Sequence, residues 1–261
     1  MAVTDHRKVA RPAAAGRLAR VVFAPVWVTL GLVALLSTVG VTLPTTYRYA
    51  LLVASALVLG LPHGAFDHLT IPRASGTTVS TRSLAGIGLL YAVVGGAYAL
   101  VWFVAPDLAF VGFLLLTWVH WGLGDLFPLV ELVERTHLTR RSQRFLAAAV
   151  RGGVPMVVPL LAAPTEYRMV TEAVVGLFAP GTSLGWVFSS EVRAVLGVGF
   201  VLLTGVALVA GRFGVSDEAT RASWRLDVAE TTLLWAFFVA VPPILAIGLY
   251  FPLWHSVRHL A

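Results

Sequence analysis

The apolar positions of this chain run together instead of alternating with polar ones. Segments 21–47 and 83–106 contain no charged residue, and a helix needs about 20 such residues to cross the hydrocarbon core of a bilayer. The apolar runs and their breaks predict helices at about 21–44, 49–69, 84–105, 108–130, 145–163 and 186–211. Between the last two, 166–180 is weakly amphipathic and reads as a short interfacial segment. As a single helix, 226–261 would measure about 54 Å at about 1.5 Å per residue, too long for one crossing. Pro242 and Pro243 interrupt it, since two prolines cannot continue a helix without losing backbone hydrogen bonds. A seventh helix is therefore expected at about 227–241, with an eighth returning from Ile244. The expected fold is all-α: a polytopic transmembrane bundle of seven to eight helices, one domain over 21–261, behind a polar tail, 1–20.

Composition supports this and adds an orientation. The chain is 58% hydrophobic and 12% charged, whereas soluble domains carry about 25% charged residues. The apolar run after the tail exceeds the 7–15 residues of a signal-peptide core, so a retained first helix is expected. Basic residues gather in the tail (Arg7, Lys8, Arg11, Arg17, Arg20). They gather again after helix 2 (Arg73, Arg82), helix 4 (Arg135, Arg140, Arg141, Arg144) and helix 6 (Arg212, Arg221, Arg225). The opposite loops hold only Arg48 and Arg168. The positive-inside rule then puts the amino terminus in the cytoplasm and the protein in the plasma membrane as a multi-pass chain. The net charge of +6 is explained by this asymmetry, and no nucleic-acid partner is expected. The absence of cysteine removes disulfides, thiolate ligands and cysteine nucleophiles.

Against this apolar background the histidines stand out, in "LPHGAFDHL", "TWVHWGLGDL" and "LWHSVRHL". Counting from the outer ends of helices 2, 4 and 8 places His63, His120, His255 and His259 at similar depths, about 18–24 Å below the outer surface. His255 and His259 are four apart and share a helix face. A single intramembrane histidine is most simply a hydrogen-bonding residue between helices; four at one level favour a metal site. Imidazole suits iron, zinc, copper or nickel, without choosing among them. Asp67 and Asp125 follow His63 and His120 by four and five residues and are candidates to accept the second N–H of a ligating ring. His68 faces about 140° away from His63 and reads as an outer-sphere or interfacial residue. Arg151, in "RGGVP", either pairs with Asp125 or snorkels to the inner surface, and snorkelling is favoured. Glu191 and Arg193 read as interfacial, and His6 and His137 as tail and loop residues without a role. Phe66, Trp118, Trp121, Tyr250, Phe251 and Trp254 flank the histidines and either wall a tunnel for an apolar substrate or pack between helices.

"GLPHGAFDH", "HWGLGD" and "PPILAIGLYFPLWHSVRH" resemble the Brp/Blh family of microbial β-carotene 15,15′-dioxygenases, and "RGGVP" looks like a further motif of that family. The likeness runs from about Leu59 to His259. It implies an integral membrane enzyme that splits β-carotene at its central double bond into two retinals, with O₂ and non-haem iron(II). Its four iron-binding histidines would fall on His63, His120, His255 and His259. Relatives are expected to continue through further hydrophobic helices, so 21–261 is expected to be a bundle shortened at its C-terminal end.

Rival functions are separable in the sequence. A retinal-binding opsin needs an intramembrane lysine, and the sole lysine is Lys8. Histidine-box desaturases carry eight or more histidines with HxxHH clusters; this chain has seven and no HH pair. A non-enzymatic partner in opsin assembly and a zinc-dependent membrane hydrolase remain open. The hydrolase would use Asp67 or Asp125 as base at an open zinc site.

Overall fold

The computed structural model describes residues 19–60, 80–131, 136–181 and 184–260, and among these the regular structure is all helical. A short π-helical turn, Ala19–Phe23, leads into α1 (Ala24–Thr38). Then come α2 (Thr45–Ser55), continued by the π-helical Ala56–Gly60, α3 (Thr81–Val104) and α4 (Pro106–Glu131). Next are α5 (Arg141–Ala162), α6 (Pro164–Gly176) and α7 (Ser190–Arg212). The last two are α8 (Glu218–Ala240) and α9 (Pro243–Tyr250). α9 runs on as a π-helical stretch, Phe251–Ser256, and a final turn, Val257–Leu260; 243–260 is called the C-terminal helix below. Five helices among the described residues are long and apolar enough to cross a membrane: 21–38, 84–104, 106–127, 141–162 and 190–212.

Three sequence expectations change. The first helix ends at Thr38 instead of 44, where Gly40 takes a left-handed φ of 85° that an L side chain disfavours. The amphipathic stretch 166–180 begins as α6, a separate helix started by Pro164 at its first position. Helix 7 was expected from 227 and begins at Glu218. Its charged first half reads as loop, yet the Asp217 carboxylate accepts from Thr220 N–H and the Thr220 hydroxyl caps the Asp217 amide, a reciprocal start signal. The proline break holds, with Pro242 as cap and Pro243 as first residue of α9.

α5 is the axis of the bundle, buried along most of its length and packed on α4, α7 and α8. Glycines let α4 and α5 touch: a β-carbon on Gly152 would overlap the Trp118 carbonyl and the Gly122 backbone, and one on Gly153 the Trp118 and Phe200 rings. Trp118 Nε1 donates to Ala149 O at 2.7 Å, tying the same two helices. α2 packs on α9, where Gly248 faces the Leu52 backbone, and α1 packs on α8.

A candidate metal centre between an apolar cavity and a buried ion cluster

Along α4, Phe110, Phe113, Leu114, Thr117 and Trp121 line a cavity of about 410 Å³. Pro155, Met156 and Pro159 of α5 and Pro243, Ile244 and Ile247 of α9 close its other sides. Its size suits a small-molecule pocket. A second cavity, about 270 Å³, shares Phe110, Leu114, Met156, Tyr167 and Thr171 with it and extends to Trp118.

His120 stands on α4 between the lining residues Thr117 and Trp121. Its ring centroid is 5.2 Å from that of His255, at 59°. His255 is fully buried and His120 exposed. The His255 ring sits beside Trp121 (5.6 Å) and stacks on Phe251 (6.0 Å, 21°). A ring nitrogen binds zinc at about 2.0–2.1 Å, and its ring centre lies about 1.1 Å further back, so two imidazoles at tetrahedral angles on one ion have centroids about 5 Å apart. The His120–His255 pair therefore fits a shared transition-metal ion in separation, and two neutral imidazoles suit iron as well as zinc. Of the expected ligands, His63 lies outside the described residues, as do Phe66, Asp67 and His68. His259 falls in the last helical turn, with its side chain outside the description. Among the described residues no group of three or more metal-ligating side chains occurs.

Of the aromatic residues expected around a tunnel, Trp121 lines the larger cavity and Trp118 the smaller. Tyr250 and Trp254 are fully buried behind them, in the core between the C-terminal helix, α4 and α8. Trp121 packs on Tyr250 at 5.1 Å, and Phe251 packs on Trp121 and His255.

Beyond the histidines lies a cluster of buried charge. Arg151 Nη1 donates to Asp125 Oδ2 at 2.7 Å, and its Nη2 to Asp227 Oδ1 at 2.6 Å and Glu230 Oε2 at 2.9 Å. Arg258 Nη1 donates to Asp125 Oδ1 at 2.9 Å and its Nη2 to Glu230 Oε1 at 2.6 Å. Trp254 Nε1 donates to Asp125 Oδ1 at 3.1 Å. All five charged side chains are at most 8% exposed. At the edge, His137 Nδ1 meets Ser223 Oγ at 2.8 Å and its Nε2 faces Asp227 Oδ2 at 3.3 Å. Paired guanidinium–carboxylate bonds compensate these charges where water does not reach, and among the described residues Arg151 Nε has no hydrogen-bond partner.

The snorkelling of Arg151 is thus corrected: the side chain is 1% exposed and turned into the bundle, because three carboxylates from α4 and α8 offer it better partners than the interface. His137, read as an idle loop residue, is fully buried. Asp125 reaches the histidine layer through Trp254 and Arg258, since five residues on a helix turn it about 140° from His120. Asp227, Glu230 and Arg258 escaped the sequence reading altogether. Their signal was present in the spacing of Asp227 and Glu230, three apart on a helix face, next to an arginine three residues after a candidate ligand.

The match to the family described as "Beta-carotene 15,15'-dioxygenase" covers residues 54–261. The chain belongs to this family. It is 48% identical over 244 residues to a probable beta-carotene 15,15'-dioxygenase Blh of Halobacterium salinarum, covering 94% of this chain and 70% of that protein. To a probable beta-carotene 15,15'-dioxygenase Brp of the same species it is 32% identical, covering 85% of this chain and 60% of that protein. To a beta-carotene 15,15'-dioxygenase of an uncultured marine bacterium it is 25% identical, covering 80% of this chain and 66% of that protein. No solved structure matches the chain.

Proposed function

We propose that the protein cleaves β-carotene at its central 15,15′ double bond with O₂, giving two molecules of all-trans-retinal, at an intramembrane non-haem Fe(II) site. The observation that carries this reading is the His120–His255 pair, 5.2 Å between ring centres, packed beside Trp121 of an apolar cavity, in a chain of this family. His120 and His255 would hold the iron together with His63 and His259. Bound iron would supply the activation of O₂, which ground-state O₂ needs before it adds to a closed-shell polyene.

The chain's own residues supply the rest. The cavity between α4, α5 and α9 receives an apolar polyene that dissolves in lipid and reaches the site from the bilayer. Trp121, lining the cavity and packed beside His255, fixes where the polyene lies against the histidine layer. The ion cluster, its charges paired with one another, seals the opposite side and keeps water from the reacting bond. Both oxygen atoms of O₂ end on the two aldehydes, so the overall reaction balances without a proton from a side chain. The N-terminal tail lies on the cytoplasmic side of the plasma membrane, as the arginine-rich loops favour.

The zinc-hydrolase alternative loses one of its two bases, because Asp125 is held by two guanidiniums and an indole. Expression in a β-carotene-producing bacterium tests the proposal: cells should bleach and accumulate retinal, read by chromatography. Purified, iron-loaded protein that forms no retinal from β-carotene would refute it. His120→Ala should abolish both iron binding and retinal formation, and stoichiometric iron retained by that variant removes His120 from the site.

A further inference from the structure

The segment that carries His255, Phe251–Ser256, is π-helical and contains Pro252. A π-helical turn is rare and is found mostly at functional sites, and proline removes one of its backbone donors. Backbone hydrogen bonding therefore sets the direction of His255 only weakly. Side chains on both flanks complete it. One residue earlier, the Trp254 indole donates to Asp125; three residues later, Arg258 donates to the same carboxylate oxygen and, through its other terminal nitrogen, to Glu230. Asp125 lies on α4, the helix of His120. The Arg258–Asp125 pair is thus a direct link between the two histidine-bearing helices, about 7.5 Å along α4 from His120. Arg258 is itself clamped, its guanidinium 3.8 Å from the Trp254 ring centre and 4.8 Å from that of Phe23.

We propose that Arg258 is a positioning residue for the metal centre: its forked bonds to Asp125 and Glu230 fix the rotation and height of the π-helical turn, and so the spacing of His255 from His120. This rests on the metal reading given above. Lysine would keep the charge but cannot make two divergent planar bonds while lying flat between two rings, so the charge-conserving variant separates geometry from electrostatics.

The test uses the full chain purified in detergent, titrated with Co(II) as a spectroscopic probe of histidine coordination, beside circular dichroism and size-exclusion profiles. The wild type is expected to take up one Co(II) with a defined d–d spectrum. Arg258→Lys is expected to stay helical and monodisperse, to bind Co(II) about 10–100-fold more weakly, and to show shifted d–d bands. Wild-type affinity and spectrum in a folded Arg258→Lys protein would overturn the positioning role while leaving the metal reading intact. A folded wild type that takes no Co(II) overturns the metal reading and this inference with it. Where Arg258→Lys does not fold, the double variant Asp125→Asn, Arg258→Gln, which strands no charge between these two positions, is read by the same criterion. Failure of both variants to fold assigns Arg258 to the scaffold and overturns the proposal.

Discussion

Arg151 has three carboxylate partners on two helices and is 1% exposed. Its removal would leave the buried Asp125 and Glu230 to Arg258 alone and Asp227 facing His137. Arg151→Ala is therefore expected to destabilise the protein by about 3–5 kcal/mol, the cost of breaking a buried pair and leaving charge uncompensated. Arg221→Ala, at an exposed pair with Glu218 at 3.7 Å, should cost less than about 1 kcal/mol. Unfolding midpoints of the two variants in the same detergent check the contrast, and equal midpoints would contradict the ranking. The same residue shows what a sequence conceals. A lone arginine near the start of an apolar run reads as snorkelling because its partners, Asp125, Asp227 and Glu230, lie 26, 76 and 79 residues away. The glycines after it in "RGGVP" explain the motif: they bring α4 against α5 closely enough for Arg151 to reach Asp125.

At the scale of elements, helix presence was legible because apolar length is unambiguous, and the Pro242–Pro243 break was legible because proline chemistry is local. The start of α8 was not, because its first half is charged and a charged run in an apolar chain resembles a loop. The Asp217–Thr220 reciprocal cap is the local signal that places it. The Asp217 carboxyl is held below its ordinary range, mainly by the Thr220 backbone N–H and then by the Thr220 hydroxyl. A carboxyl lowered in the native state contributes stability above its unfolded pKa and loses it as pH falls through the native value. Acidification below the ordinary carboxylate range should therefore loosen the first turn of α8. Amide exchange at Thr220 should accelerate there on lowering the pH, after correction for the intrinsic rate, and Asp217→Ala should remove that pH dependence. Unchanged exchange would show that packing, not the cap, holds the turn.

On the scale of the whole molecule, α4 and the C-terminal helix carry cavity, histidine and ion-cluster residues in the same order, and α5 carries the first and last of these. α4 runs from cavity lining through His120 to Asp125, the C-terminal helix from Ile244 and Ile247 through His255 to Arg258, and the antiparallel α5 from Arg151 to Met156 and Pro159. The approach of His120 to His255 was readable from counting residues along helices; the ion layer was not, since it exists only where four helices meet. This layering makes the cavity and the ion-binding side chains separable by mutation. Leu114 lines both cavities and stands six residues before His120. Leu114→Trp adds bulk to the apolar space without touching either described histidine or the cluster. If the polyene occupies that space, retinal formation should fall at least about tenfold, a loss of about 1.4 kcal/mol in transition-state stabilisation, while iron content stays at the wild-type level. Leu114→Ala, which enlarges the space, should retain iron as well and lose less activity. Full activity in Leu114→Trp would move the substrate to another face of the histidine layer. Loss of iron along with activity would show that the cavity and the metal centre are not the independent layers that their order along α4 implies.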